Sequence, residues 1–422
     1  MGQTVSEKIL SRCSGSILEA GHKGSCNIDL CFSNDITTPL LIDKLGKKKL
    51  FYKKKYAIFL DHNTPAPNTA VAGTHSLLRK FAKKNNIRLF DVGKGISSQL
   101  IWENNLYRPG GIILGTDSYV NCFGAVGTAA GKATLQDIIS VLREGKSRIV
   151  VPHTYRIVLK GRLSDKISAV DAALFLISKL KRYKIRDEAI EITGKVGDFS
   201  LSERMSMLSS FAQTGIKFLF SYPFCNRVSL NFKHSEIKNF LPDDDCKYKK
   251  TLEFNLSDIP PLLSRPHSIL KVSPVKKEEG TKIDQAILGG GSSGRLNDLR
   301  IAAKILKDKR INPSVRFFIV PASYSIWQRA LKEGLVRIFL NSGAVLLPPG
   351  YGPCEGDHQG IPADGEIVIT TANNNSRGIM GNYKSKVYLS SKYTVIASAI
   401  KGEITNPLDF KHSRRSLTKG GR

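Results

Sequence analysis

Residues Val345–Gly360, VLLPPGYGPCEGDHQG, decide how this chain is read. An apolar run ends in a turn rich in glycine and proline. That is the pattern of a buried strand delivering a tight loop to a site. Its counterpart is Ile287–Arg300, ILGGGSSGRLNDLR, with the same run and the same glycine-rich end. Glycine at a strand end lets backbone approach a ligand closely, because no Cβ intervenes.

Outward from these two stretches, short β-type runs alternate with helical patterns, which predicts α/β domains with largely parallel sheets. In residues 1–153, Thr4–Arg12 reads as a helix opened by the capping box Thr4-Val5-Ser6-Glu7. Tyr56–Leu60, Ile87–Val92 and Gly111–Leu114 read as strands, and Thr74–Asn85 as an amphipathic helix. Polar residues gather just past the strand ends, at Asp61-His62-Asn63 and Gly115-Thr116-Asp117-Ser118-Tyr119. An α/β sheet places its ligand crevice there. The series Gly124, Gly127 and Gly131 predicts a helix packed closely beneath. Residues 154–274 contain strand Tyr155–Leu159, helices Ala169–Tyr183 and Ser202–Gly215, and a Pro-rich linker over 260–274. Residues 275–407 hold strands Ala286–Leu288, Ser314–Val320, Ala344–Leu347 and Glu366–Thr370, with helices Leu296–Asp308 and Ile326–Glu333. The basic tail, 408–422, has too little apolar content to fold alone.

A chain of 422 residues has room for two or three domains. No apolar run reaches eighteen residues, so no spanning helix and no membrane are expected. The start, MGQTVSEKIL, lacks a secretory signal. Gly2 and Ser6 match the myristoylation spacing, but the capping box accounts for the same residues. Seven scattered cysteines without CxxC or zinc spacing read as reduced thiols in a cytoplasmic protein. The net charge of +28 points to nucleic acid, an anionic surface or anionic substrates. Lys47–Lys49, Lys53–Lys55, Lys80–Lys84 and Lys179–Lys184 are separate small groups in the sequence, which argues against a dedicated nucleic-acid stripe.

With Asp61–Pro65 (DHNTP), Gly115–Ser118 (GTDS), IDQAILGG, GRLNDLR, LPPGYGPCEG and AIKGEITNP in view, the chain resembles the aconitase superfamily large subunits, as in isopropylmalate dehydratase and homoaconitase. The resemblance runs from Thr4 to Pro407. It implies three aconitase-type α/β domains around a central cleft, over 1–153, 154–274 and 275–407, without the swivelling fourth domain. A separate small subunit would supply that domain. It also implies hydro-lyase chemistry on hydroxy-carboxylates with a 4Fe–4S cluster on three cysteines. Here Gly291 and Tyr351 stand at two of those positions and Cys354 at the third. Asp61, His62, Asp117 and Ser118 fall on the catalytic positions, and Arg295, Ser323 and Asp35 on those that border or hold substrate. Ser98, Tyr119, Ser209, Gln213 and Asn374 replace further functional residues of the family. The expectation is therefore a divergent large subunit without cofactor, or with a single metal ion. It would keep small-subunit and di- or tricarboxylate binding but not the dehydration. The alternatives are an active non-canonical dehydratase and a nucleic-acid-binding relative.

Overall fold

A computed structural model describes residues 2–224, 238–291, 293–356 and 358–410. Three main sheets carry them. The first is five parallel strands in the order Arg88–Phe90, Tyr56–Phe59, Leu30–Asn34, Ile112–Gly115 and Ala129–Lys132. The second is four parallel strands, Phe218–Ser221, Ala189–Gly194, Thr154–Lys160 and Lys250–Asn255. In the third, an antiparallel edge of Val272–Pro274 and Leu262–Ser264 continues into Lys386–Ser390. Four parallel neighbours then follow: Ile367–Thr370, Gln285–Gly289, Arg316–Val320 and Val345–Leu346. Helices cover the sheets, so strands such as Tyr56–Phe59 and Gln285–Gly289 are buried at every residue. Burial on both faces is why these strands read as unbroken apolar runs.

The sequence reading misses strand Ala189–Gly194 and helices Thr38–Leu45 and Leu335–Ser342, and its helix Ser202–Gly215 stops at Ser209. Three further corrections concern how the sheets are built. The central strand of the first sheet, Leu30–Asn34, reads LCFSN, and its polar end conceals it. Ser33 is satisfied inside by the hydroxyls of Thr38 and Tyr56. The glycine series does not start an α-helix. Ser118–Val126 is a 3₁₀ stretch, and Gly131 lies in the strand Ala129–Lys132. A Cβ on Gly124 would run into the Leu219 carbonyl, so this glycine lets the stretch rest directly on the second sheet. The predicted linker is no linker either: Leu262–Ser264 and Val272–Pro274 are strands of the third sheet. Residues 411–422 of the expected tail lie outside the described residues. Phe410 itself is buried, with Lys309 Nζ 4.2 Å from its ring centroid. Among the described residues, no helix is long and apolar enough to cross a membrane.

The first helix, Val5–Ser14, has the expected capping box between Thr4 and Glu7. Its first N–H, on Val5, donates to Glu191 Oε1 at 2.8 Å, and the Tyr248 hydroxyl donates to Oε2 at 2.8 Å. Burial outweighs these bonds and pushes the Glu191 carboxyl up to about 7. The folded state therefore holds a proton that the unfolded state releases near 4.5. Stability from this group is fullest below that value and falls as pH rises through about 7. The shift corresponds to about 3 kcal/mol lost by pH 8. Glu191→Gln keeps an acceptor for Val5 and should raise the pH 8 melting midpoint while leaving that at pH 4 nearly unchanged. Thermal scans across this range check it, and a variant less stable than the parent at pH 8 would refute it.

Candidate active site

The first and third sheets meet where their strand-end loops touch. The Tyr351 N–H donates to the Asp61 carbonyl at 2.8 Å, fastening the quoted stretch to the loop after Tyr56–Phe59. A Cβ on Gly290 would collide with Cys354 Sγ and the Tyr351 carbonyl, so the two glycine-rich loops also close on each other.

Asp35, at the end of the central strand, orders the Asp61 loop. Its Oδ1 accepts from the N–H groups of Asp61 (3.3 Å) and His62 (3.0 Å), and its Oδ2 from Asn63 (2.8 Å). His75 Nε2 lies 3.3 Å from Oδ2. Burial alone would raise this carboxyl. The His75 bond, the His62 charge and the backbone donors together hold it below the ordinary aspartate value.

His62 Nδ1 is 2.7 Å from Asp61 Oδ1, and Asp61 Oδ2 accepts the Ser97 N–H at 2.8 Å. On the other side, His62 Nε2 is 3.1 Å from Asn34 Nδ2. The Asn34 oxygen is taken by Ile36, Thr37 N–H and the Thr37 hydroxyl, so its amide presents N–H to the imidazole. Burial lowers the His62 pKa, but Asp61, Asp35 and Glu355 outweigh it and raise it to about 10. Burial and the Asn34 N–H both favour the neutral ring, against the pull of the three carboxylates.

The Tyr351 ring lies 4.1 Å from that of His62, and its hydroxyl donates to Asp117 Oδ2. Asp117 Oδ1 caps the 3₁₀ stretch by accepting the Tyr119 N–H at 3.0 Å. Tyr119 stacks on Tyr351 at 5.7 Å and donates to Glu355 Oε1 at 3.4 Å. Burial raises the Asp61 and Asp117 carboxyls above the usual range and takes Glu355 to about 7. Cys354 is buried, its Sγ 3.8 Å from the Gly289 carbonyl and the Thr370 hydroxyl, and burial pushes its thiol up to about 12. Atoms of Asp35, Asp61 and His62 lie within 4.8 Å of one another, but backbone N–H groups and the imidazole already engage them.

Asp35, Asp61, His62, Asp117 and Tyr351 thus form one contact network, with Ser118 buried beside it and Cys354 and Gly291 at its edge. Arg295 and Ser323 are directed elsewhere. Arg295 Nη1 is 3.3 Å from the Ser206 hydroxyl, and Ser206 in turn lines a cavity of about 30 Å³ with Lys392, Ser293 and Asn373. Ser323 caps the helix Tyr324–Lys332 and donates to Glu103 at 2.6 Å. Sequence reasoning missed Asn34, His75, Glu355 and His358. Glu355 and His358 stand in the opening stretch itself. His358 Nε2 meets the Thr64 carbonyl at 2.7 Å, a second tie across the cleft.

The sequence model of the aconitase family (aconitate hydratase) matches residues 7–215 and 226–402. The 3-isopropylmalate dehydratase large subunit 1 of Methanopyrus kandleri is 36% identical over 417 residues, covering 97% of this chain and all of that protein. A probable 3-isopropylmalate dehydratase large subunit of Methanothermobacter thermautotrophicus is also 36% identical, over 421 residues, 97% of this chain and all of that one. Among solved structures, the holo-form of Thermococcus kodakaraensis aconitase X superposes with a TM-score of 0.53 at 12% identity. It covers 83% of this chain and 84% of that one, a likeness of fold alone.

These matches correct the expectation of a chain without cofactor, or with a single metal ion: a 4Fe–4S cluster is what kinship to such large subunits implies. The side chains in hand do not fit its three-thiolate form. Cys354 brings one thiol, the Tyr351 oxygen is held by Asp117, and Gly291 has no side chain. No chemical step is therefore derived through a cluster. By its full-length matches and its three-sheet architecture, the chain belongs to the aconitase family.

Proposed function

We propose that this chain is the large subunit of a two-component assembly of the isopropylmalate dehydratase kind, one that docks a small subunit and no longer dehydrates hydroxy-carboxylates. One observation carries the reading: the retained acid–base pair is turned inward. Both Asp61 oxygens are engaged by His62 and Ser97, both His62 nitrogens by Asp61 and Asn34, and the Tyr351 ring lies against the imidazole. A general base must come within about 3 Å of the proton it takes. Neither residue offers substrate an unengaged nitrogen or oxygen. Catalytic groups that act as a unit lose rate together when one is withdrawn.

The relatives' designation as large subunits supports the small-subunit partner. A di- or tricarboxylate is the ligand class for Arg295. The cavity of about 30 Å³ lined by its partner Ser206 holds about one water, so such a ligand reaches it only when the elements of the second and third sheets part.

The test mixes the full chain with an isopropylmalate dehydratase small subunit after anaerobic treatment with iron and sulfide. Co-elution without formation of the unsaturated acid is expected. Turnover within tenfold of a relative's large subunit, assayed alongside, would overturn the proposal. Tyr351→Phe removes the donor to buried Asp117 and should cost about 1–3 kcal/mol in urea unfolding. An unchanged midpoint would mean that the tyrosine does not seal the pair.

A further inference from the structure

Lysine groups that stand apart in the sequence meet in space. Lys47, Lys48, Lys49 and Lys53, after the helix Thr38–Leu45, and Lys84, near the end of the helix Thr69–Asn85, line one open groove of about 670 Å³. No acidic side chain lines it. Among the described residues, none of the five forms an ion pair, whereas Lys160, Lys249, Lys282 and Lys384 each do. Five ammonium groups held together without counter-charge repel one another, and a polyanion relieves that repulsion.

An aromatic ring stands at the same groove. Phe51 is 69% exposed, yet its backbone is anchored: its N–H and that of Tyr52 both donate to the Leu142 carbonyl, at 2.9 and 3.0 Å. Tyr52 is occupied, packed on Gly145 and carrying Lys55 5.6 Å from its ring centroid. Phe51 is therefore a large apolar ring offered to solvent on a fixed loop among lysines. Basic grooves that track a phosphate backbone, with aromatic rings on which bases stack, are how single strands are held without sequence preference. A membrane would ask for a broader apolar face, and an acidic peptide gives Phe51 nothing to stack on. The groove lies at the far end of the helix Thr38–Leu45 from Asn34 and Thr37, so it does not belong to the cleft.

We propose that this groove binds single-stranded nucleic acid without sequence preference, the lysines neutralising phosphates and Phe51 stacking on a base. The test is a fluorescence-anisotropy titration of the full chain with a labelled oligouridylate, repeated across a salt series. Five neutralised phosphates predict a log–log slope with salt of about −3 to −4. Lys47→Ala, Lys48→Ala and Lys49→Ala combined should weaken binding at least tenfold at low salt and make that slope about 2 units shallower. Phe51→Ala should weaken it about tenfold with the slope unchanged. A control removes three exposed lysines elsewhere, Lys304, Lys307 and Lys332, and should keep nearly full affinity. Circular dichroism confirms that the variants are folded. Equal losses in the two triple variants, no effect of Phe51→Ala, or equally tight binding to a duplex, to polyglutamate or to anionic vesicles would each overturn the proposal.

Discussion

Gly124→Ala is expected to lower the unfolding midpoint by the equivalent of about 3 kcal/mol, the upper range of overpacking changes. The added methyl has no flexible neighbour to displace, because it meets the backbone carbonyl of Leu219 inside a strand. Relief requires the whole stretch Ser118–Val126 to lift from the second sheet, and Asp117, which caps that stretch, moves with it. Gly73 is the control. It lies within the helix Thr69–Asn85 with nothing within 4 Å of an added Cβ. Gly73→Ala should stabilise the chain by about 0.5–1 kcal/mol. Urea unfolding of both variants checks the pair. A loss under about 1 kcal/mol at Gly124 would contradict the close packing described.

Asp35→Ala should cost about 3–5 kcal/mol, the range seen when one partner of a buried charged network is removed. The aspartate accepts three consecutive backbone N–H groups and faces His75. Without it those donors are buried and unmatched, each a penalty of about 1–3 kcal/mol unless water enters. The damage should be local before it is global. Amide exchange at Asp61, His62 and Asn63 should quicken more than at Tyr56–Phe59, the strand leading into them. Equal protection in variant and parent would show that the loop is held by something else.

How much of this was legible beforehand depends on where burial writes itself into sequence. Gln285–Gly289 and Tyr56–Phe59 are covered on both faces and appear as plain apolar runs. Leu30–Asn34 is equally buried but ends in Ser33 and Asn34, whose partners across the fold, Tyr56 and His62, are invisible in a linear reading. The prolines of 260–274 suggested a linker, yet Pro260, Pro261 and Pro266 fall outside the two short strands, and Pro274 ends the edge strand, where one side needs no donors. In the site, residue types at Asp61, His62 and Asp117 were readable, whereas the partners that close them in were not. Arg295 and Ser323 were expected in the same group, but their strand-end loops aim them at Ser206 and Glu103.

The tie between Asp117 and Tyr351 spans 234 residues of chain. A ribosome makes the chain from one end, so the first sheet emerges complete long before its counterpart loop exists. During that interval Asp117 and the Asp61–His62 pair lack the loop that covers them, and the burial that raises the two carboxyls is not yet in place. Contacts this distant along the chain also carry the greatest loop-closure cost and form late in folding. Synthesis of the last third therefore does more than add a domain. It brings the loop that covers the carboxylates of the first, a contact that cannot form before residue 351 has been made.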